Sequence, residues 1–360
     1  MKILEVSSLY RLTPPTGSGS IEKFVHMLSN NILAKHKNSE VYVMSKEGST
    51  GGNYKTIYTD FESYEKDILT IIEQIHPDII HLHFDNLKTH KELLKLKLPI
   101  VYTIHSYSEP SQWLDILRIS QNEPNVYFTF VSDYFKTYFE KVLDSNNISF
   151  DRSKFFTTWI GIDLKYVLNN QTHVYPKEYT VYLGLIRKHK AVLEIVKAFQ
   201  NLDEKLLVVG PIKNIPYCDE VIQEIKKSPN ITYYGEIGTD KERIDIFSKA
   251  KALIIATGYS KLEPNCHEAF GTVMIEANAS GVPIIGYNQG VMTTYIEEGI
   301  NGYKFDDLND LQNIINKVQD KDMKVECIKK SVPFEIERIS ELYFEILSNI
   351  LSNTKVDNSA

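Results

Sequence analysis

Three cysteines in 360 residues, odd in number and far apart at Cys218, Cys266 and Cys327, exclude a disulfide framework. They predict free thiols in a reducing compartment. No run approaches the roughly 18 apolar residues of a membrane span. Positive charge is outweighed: 40 Lys and Arg stand against 47 Asp and Glu, a net charge of −7, so the basic footprint of a nucleic-acid binder is missing. A dinucleotide fingerprint G-x-G-x-x-G is absent as well. The opening "MKILEVSSLY" reads as a strand, without a basic leader or cleavage site. A cytoplasmic protein is expected.

What is present is alternation. Short apolar runs occur at 2–6, 40–44, 78–84, 100–105 and 126–131, then at 179–184, 205–210, 231–235, 251–257, 282–287 and 302–305. Between them lie stretches with apolar residues at i, i+3, i+4 and i+7, such as 21–35 and 64–75. Strand–helix alternation predicts parallel sheets covered by helices on both faces. Length predicts about two domains at roughly 150 residues each. The fold class expected is α/β, with two Rossmann-like domains facing each other across a cleft.

Ligands of such domains sit beyond the carboxyl ends of the strands. After the first strand, "SSLYRLTPPTGSGSIEKF" (7–24) ends at a helix start. Gly17 and Gly19, flanking Ser18, let backbone N–H groups approach a ligand, and the helix N-terminus favours an anion. The competing reading is a surface loop with Ser20 as helix cap. His81, His83 and His105 lie near strand ends. The H-x-H pair has no third ligand at matching spacing, so no metal is expected. His105 would point into the cleft, to meet a sugar hydroxyl or a charge, or would be a packed structural histidine. "YLGLIRKHKAV" (182–192) puts Gly184 at a strand end and Arg187, Lys188 and Lys190 before a helix. Cations there oppose the helix dipole, which makes sense if they clamp a diphosphate; the alternative is a solvated basic loop. "DKD" (320–322) reads as a solvated face.

The stretch "HEAFGTVMIEANASGVPIIG" (267–286) poses a sharper problem. A helix that reads as core carries Glu268 in its lead-in and Glu276 on its second turn, and an unpartnered buried carboxylate is costly. Gly271 leaves room at the helix start for a diphosphate, and both acids suit vicinal hydroxyls.

"EAFGTVMIE" resembles the E-x7-E signature of retaining glycosyltransferases of the GT-B fold, in particular glycosyltransferase family 4. "PPTGSGSIEKFVHMLS", "PDIIHLHF", "YTIHSYS", "FTFVSDYFK", "WIGIDLKY", "YLGLIRKHKAVLEIVKAF" and "SGVPIIGYNQGVMTTYIEEGINGYKF" resemble that family's successive blocks, in order. "FEIERISELYFEILSNIL" resembles its closing helix, which crosses back to the first domain. The resemblance implies an acceptor-side domain over 1–168 with the helix about 335–351, a nucleotide-sugar domain over 169–334, and a flexible tail at 352–360. It implies a UDP- or GDP-linked sugar donor and transfer with retention to an acceptor hydroxyl, without a metal or other cofactor. Glu276 would contact the ribose and Glu268 the donor sugar. Phe270, Gly271 and Thr272 would supply backbone donors to sugar and phosphate, His105 would lie near the sugar's primary hydroxyl, and Gly235, Glu236 and Ile237 would hold the base. Lys190 keeps the expected spacing. Leu185 stands where the family has Arg, so Arg187 is the substitute; Ala191 and Ile160 also depart from the pattern. A GT-B epimerase or phosphorylase, and a non-catalytic sugar- or nucleotide-binding protein, are the competing readings. The acceptor is a sugar, glycan, lipid-linked or small molecule. Membrane association is expected to be weak at most, since residues 1–165 hold 18 Lys and Arg against 20 Asp and Glu.

Overall fold

A computed structural model describes residues 1–84, 86–106, 112–171, 176–213, 215–261, 263 and 266–357. The chain divides into two units, residues 1–161 with 336–360, and residues 162–335.

The first unit holds β1 (Lys2–Val6), α1 (Ser20–Lys35), β2 (Glu40–Lys46), β3 (Lys55–Thr59), α2 (Tyr64–Ile75), β4 (Ile79–Leu82), α3 (Leu87–Leu94), β5 (Ile100–Ile104), α4 (Gln112–Ile119), β6 (Val126–Phe130), α5 (Asp133–Ser145) and β7 (Phe155–Thr157). Its strands form one sheet in the order β3-β2-β1-β4-β5-β6-β7, and every pairing is parallel. The central strands are the continuous apolar runs that burial on both faces demands. The sequence reading missed β3 and β7. Both are edge strands, and β3 is half exposed while β7 has only three residues, so neither carries an apolar run.

The second unit holds α6 (Leu164–Asn170), β8 (Tyr179–Leu183), α7 (Val192–Phe199), β9 (Leu206–Val209), α8 (Pro216–Ile225), β10 (Ile231–Gly235), α9 (Asp240–Lys249), β11 (Ala250–Ile255), α10 (Thr272–Ala279), β12 (Ile284–Tyr287), α11 (Met292–Tyr295), β13 (Gly302–Phe305), α12 (Leu311–Gln319) and α13 (Lys324–Ser331). Its sheet runs β10-β9-β8-β11-β12-β13, again all parallel. The break falls at Gly161/Ile162 rather than after 168 because α6 packs on α9 and α10. Gln171, just past α6, donates to the Ala279 carbonyl at 3.3 Å.

The last helix, α14 (Ile336–Asp357), belongs to the first unit and packs along α1. His36 stacks on Phe344 at 3.4 Å between centroids and lies 3.0 Å from the Glu341 carboxylate. The helix continues past 351 to Asp357, so residues 352–357 are helical rather than a loose tail.

Each sheet reverses its strand order once. The crevice lies between β1 and β4 in the first unit and between β8 and β11 in the second. Doubly wound sheets place ligands beyond the carboxyl ends of strands at such points.

Candidate active site

In the second unit the crevice gathers residues that lie far apart in sequence. Lys190 follows β8, Thr257 follows β11, and Glu268 lies in the lead-in to α10. Lys190 Nζ is 2.5 Å from Glu268 Oε2, and the Thr257 hydroxyl donates to the same oxygen at 2.8 Å. Burial alone would push the Glu268 carboxyl up. Lys190, Thr257 and His189 outweigh it and hold Glu268 below its ordinary range. Glu268 is therefore an ionised, enclosed carboxylate with its own cation. Its main chain is fixed too: the Val291 N–H donates to its carbonyl at 3.0 Å.

Beside this pair starts α10. Gly271 caps it in the left-handed region, φ 74°, with no side chain on the free N–H groups. A side chain there would meet Met274 Cε at 2.8 Å. Phe270 is buried against Phe334, ring centroids 5.6 Å apart, so only its backbone is free to face a ligand. Thr272 is the first helical residue. Gly184 sits at the end of β8, its N–H bonded to the Val209 carbonyl at 3.0 Å. Leu185 is exposed. Arg187 forms no ion pair or side-chain hydrogen bond among the described residues, so its charge is uncommitted.

Glu276 answers differently. It lies on α10, 8% exposed, and its carboxylate is 2.6 Å from Arg243 Nη1 on α9. The same guanidinium nitrogen lies 2.7 Å from Asp240. Sequence reading missed Arg243, as nothing in α9 marks it; it also missed Thr257, although that residue ends the recognised run 251–257. Gly235 closes β10 and accepts from the Gly210 N–H at 2.8 Å. Glu236 is exposed, and Ile237 is buried in the core.

In the first unit, the loop after β1 is folded back on α1. Glu22, on the first turn of α1 and 3% exposed, accepts from the Ser8 hydroxyl and from the Arg11 N–H. Gly17 (φ 87°) and Gly19 (φ 150°) take conformations other residues resist, and Gly19 rather than Ser20 is the cap of α1. Ser18 lies between them, partly exposed. His105 follows β5. Its Nε2 is 3.0 Å from His83 Nδ1, and His83 Nε2 is 3.1 Å from Glu5 Oε2. Glu5 Oε2 is also 2.9 Å from His81 Nδ1, and His81 Nε2 is 2.7 Å from the Thr103 hydroxyl. Glu5, His81, His83 and Thr103 of this network are buried, and His105 is partly exposed.

Two groups have metal-type atoms within 4.8 Å of one another: Glu5, His81 and His83, and His189, Glu263 and Cys266. Folding assembles both from distant strands and loops, so neither showed as ligand spacing. In the first, Glu5 Oε2 lies 2.9 Å from His81 Nδ1 and 3.1 Å from His83 Nε2; in the second, His189 Nδ1 lies 3.3 Å from Glu263. The "DKD" residues are local: Asp322 accepts from the Lys324 N–H at 3.0 Å. Of the lysines at 88–97, Lys88 pairs with Glu65, Lys95 with Glu92, and Lys97 lies 3.9 Å from Glu123. No helix among the described residues is long and apolar enough to cross a membrane.

Known proteins resemble this chain in sequence and fold. Residues 169–331 match the family described as glycosyl transferases group 1. A lipopolysaccharide 1,2-N-acetylglucosaminetransferase of Salmonella typhimurium is 21% identical over 355 residues, 88% of this chain and 87% of that protein. A glycosyltransferase from Rickettsia africae ESF-5 has the same fold, with a TM-score of 0.77 and 18% identity over 98% of this chain and 99% of that one. Anabaena HepE, solved in complex with UDP-glucose, has a TM-score of 0.71 and 16% identity over 97% of this chain and 100% of its own. The second unit is thus similar to a glycosyl transferases group 1 domain, the chain has the GT-B fold, and it is a glycosyltransferase.

Proposed function

We propose that the protein transfers a sugar from a nucleoside-diphosphate donor, UDP- or GDP-linked, to an acceptor hydroxyl with retention of anomeric configuration and without a metal, as expected of glycosyltransferase family 4. One observation carries the reading: the Lys190–Glu268–Thr257 cluster lies beside the uncapped start of α10. Lys190 has protons to spare beyond the one facing Glu268, and free N–H groups at a helix start attract phosphate. Arg187 adds an uncommitted charge. These groups stabilise the diphosphate as negative charge develops on it. The bond from the anomeric carbon to the diphosphate oxygen breaks, and the acceptor oxygen bonds to the same face. The acceptor's proton passes to the departing phosphate. Glu268 and His105 contact donor-sugar hydroxyls, Glu276 the ribose, and the backbone at Gly235–Ile237 the base. Gly17, Ser18 and Gly19 keep the donor-binding role that the family resemblance implies.

The three cysteines are free, in keeping with a reducing, cytoplasmic setting. The acceptor is a sugar, glycan, lipid-linked or small molecule. A panel of nucleotide sugars tested by thermal stabilisation identifies the donor, since a ligand at 100 times its dissociation constant adds about 2.7 kcal/mol. Donor turnover with and without acceptors, followed by NMR of the product's anomeric centre, then tests transfer and retention. Inversion, or no stabilisation by any nucleotide sugar, refutes the reading.

A further inference from the structure

The hydrogen bonds around His105 run in one direction. Glu5, fully buried at the β1–β4 crevice, accepts only. Burial would raise its carboxyl, but His81 and His83 hold it down to about 2. An ionised carboxylate requires the proton on His83 Nε2, 3.1 Å away. Burial, helped by His81, brings His83 down to about 4, so its ring is neutral and Nδ1 carries a lone pair. That lone pair, 3.0 Å from His105 Nε2, requires the His105 proton to sit on Nε2. His105 is itself held well below its ordinary value by burial and by the neighbouring imidazoles. Its Nδ1 is enclosed and, among the described residues, has no hydrogen-bond partner. Phe24 packs edge-on against both rings, with centroids 6.1 Å from His83 and 6.4 Å from His105.

We infer that Glu5 and His83 are positioning residues that fix His105 in its Nε2–H tautomer, so that His105 Nδ1 accepts a hydrogen bond from a ligand hydroxyl. In a neutral imidazole the hydrogen bond at one nitrogen decides the role of the other. A buried acceptor left without a donor costs free energy, and a bound hydroxyl relieves that cost. The inference rests on the glycosyltransferase reading only in naming that hydroxyl as one of the sugar's. It selects ligands that present a donor there and discriminates against deoxy analogues at that position.

Imidazole 15N spectra of the labelled full-length chain test the relay without any substrate. The wild type should show His105 with Nε2 protonated, and His83→Phe should lose that preference. Glu5→Gln should shift it if His83→Phe does not fold, with thermal melts confirming which variants do. In transfer assays, His83→Phe should lower kcat roughly tenfold, the cost of one misdirected hydrogen bond, with a smaller change in KM. In a His105→Ala background it should cost nothing further, because it acts through His105. A wild-type His105 protonated on Nδ1, a tautomer indifferent to both substitutions, or fully additive kinetic losses would each overturn the inference. Absence of transfer from every nucleotide sugar would sink the donor assignment, while the spectra still decide the relay.

Discussion

Glu276→Ala separates a ribose contact from a structural acid. The carboxylate is 8% exposed and lies 2.6 Å from Arg243, yet two carboxylate oxygens offer about four lone-pair sites, which leaves acceptors for a vicinal diol. A hydrogen bond to a charged group is worth about 1.5–3 kcal/mol. Its loss should weaken nucleoside diphosphate binding roughly 10- to 150-fold. The fold should tolerate the change. Arg243 keeps Asp240 at 2.7 Å, so no buried cation is stranded, and alanine is the best helix former. The expected stability change is within about 1 kcal/mol. Arg243→Ala is the counter-test, because it strips Glu276 of its guanidinium. Removing one partner of a buried pair costs about 3–5 kcal/mol, and the 15% exposure of the Arg243 side chain places this case at or below the lower end. Calorimetry with UDP and GDP, alongside thermal melts, reads both quantities. Unchanged nucleotide affinity in a folded Glu276→Ala protein would refute the ribose assignment and leave Glu276 as Arg243's structural partner.

Lys190→Ala should reduce kcat and move the acid limb of the pH–rate profile upward, because burial then raises the Glu268 carboxyl without its counter-cation; an unmoved limb would separate Glu268 from the rate. Arg187→Ala should slow turnover with little effect on stability, and wild-type kinetics would make it a surface charge. Activity should survive EDTA; loss restored by manganese would put an ion at His189, Glu263 and Cys266 or at Glu5, His81 and His83. Stability should fall as pH drops below 6.5, because His83 (about 4 against 6.5) and Glu5 (about 2 against 4.5) bind fewer protons folded than unfolded. A urea-denaturation profile flat between pH 6.5 and 4 would contradict the buried network. Sedimentation with anionic vesicles at low salt should leave the protein in solution, since most lysines at 88–97 face acids.

Central strands were legible because burial on both faces leaves no freedom in residue type; all six strands of the second sheet follow runs visible in the sequence, and α2 occupies the expected 64–75. The edge strands β3 and β7 were not, because one side of an edge strand is free of that constraint. The site was legible as residues but not as pairs. Glu268, Glu276, Lys190 and His105 stood out by type and position, whereas Arg243 and Thr257 did not, and no pairing was visible. Lys190 meets Glu268 across 78 positions, Arg243 meets Glu276 across 33, and His83 meets His105 across 22. Such meetings depend on which strands become neighbours, and local pattern carries nothing about strand order.

The two acids around α10 also differ in what their cations can do. Arg243, its side chain 15% exposed, lies between Glu276 and Asp240, and its Nη1 meets both. Its planar guanidinium gains from fixed geometry and loses from any shift. Lys190 is a single flexible point charge, with a side chain 24% exposed and one close carboxylate. It can swing towards a phosphate while Glu268 keeps the Thr257 hydroxyl at 2.8 Å and turns its other oxygen to a sugar hydroxyl. A lysine at 243 would give up that fixed planar geometry, and an arginine at 190 would offer Glu268 two parallel N–H donors. On the proposed assignment, this difference would make Glu276 a fixed acceptor for the nucleoside and Glu268 an adjustable one for the sugar.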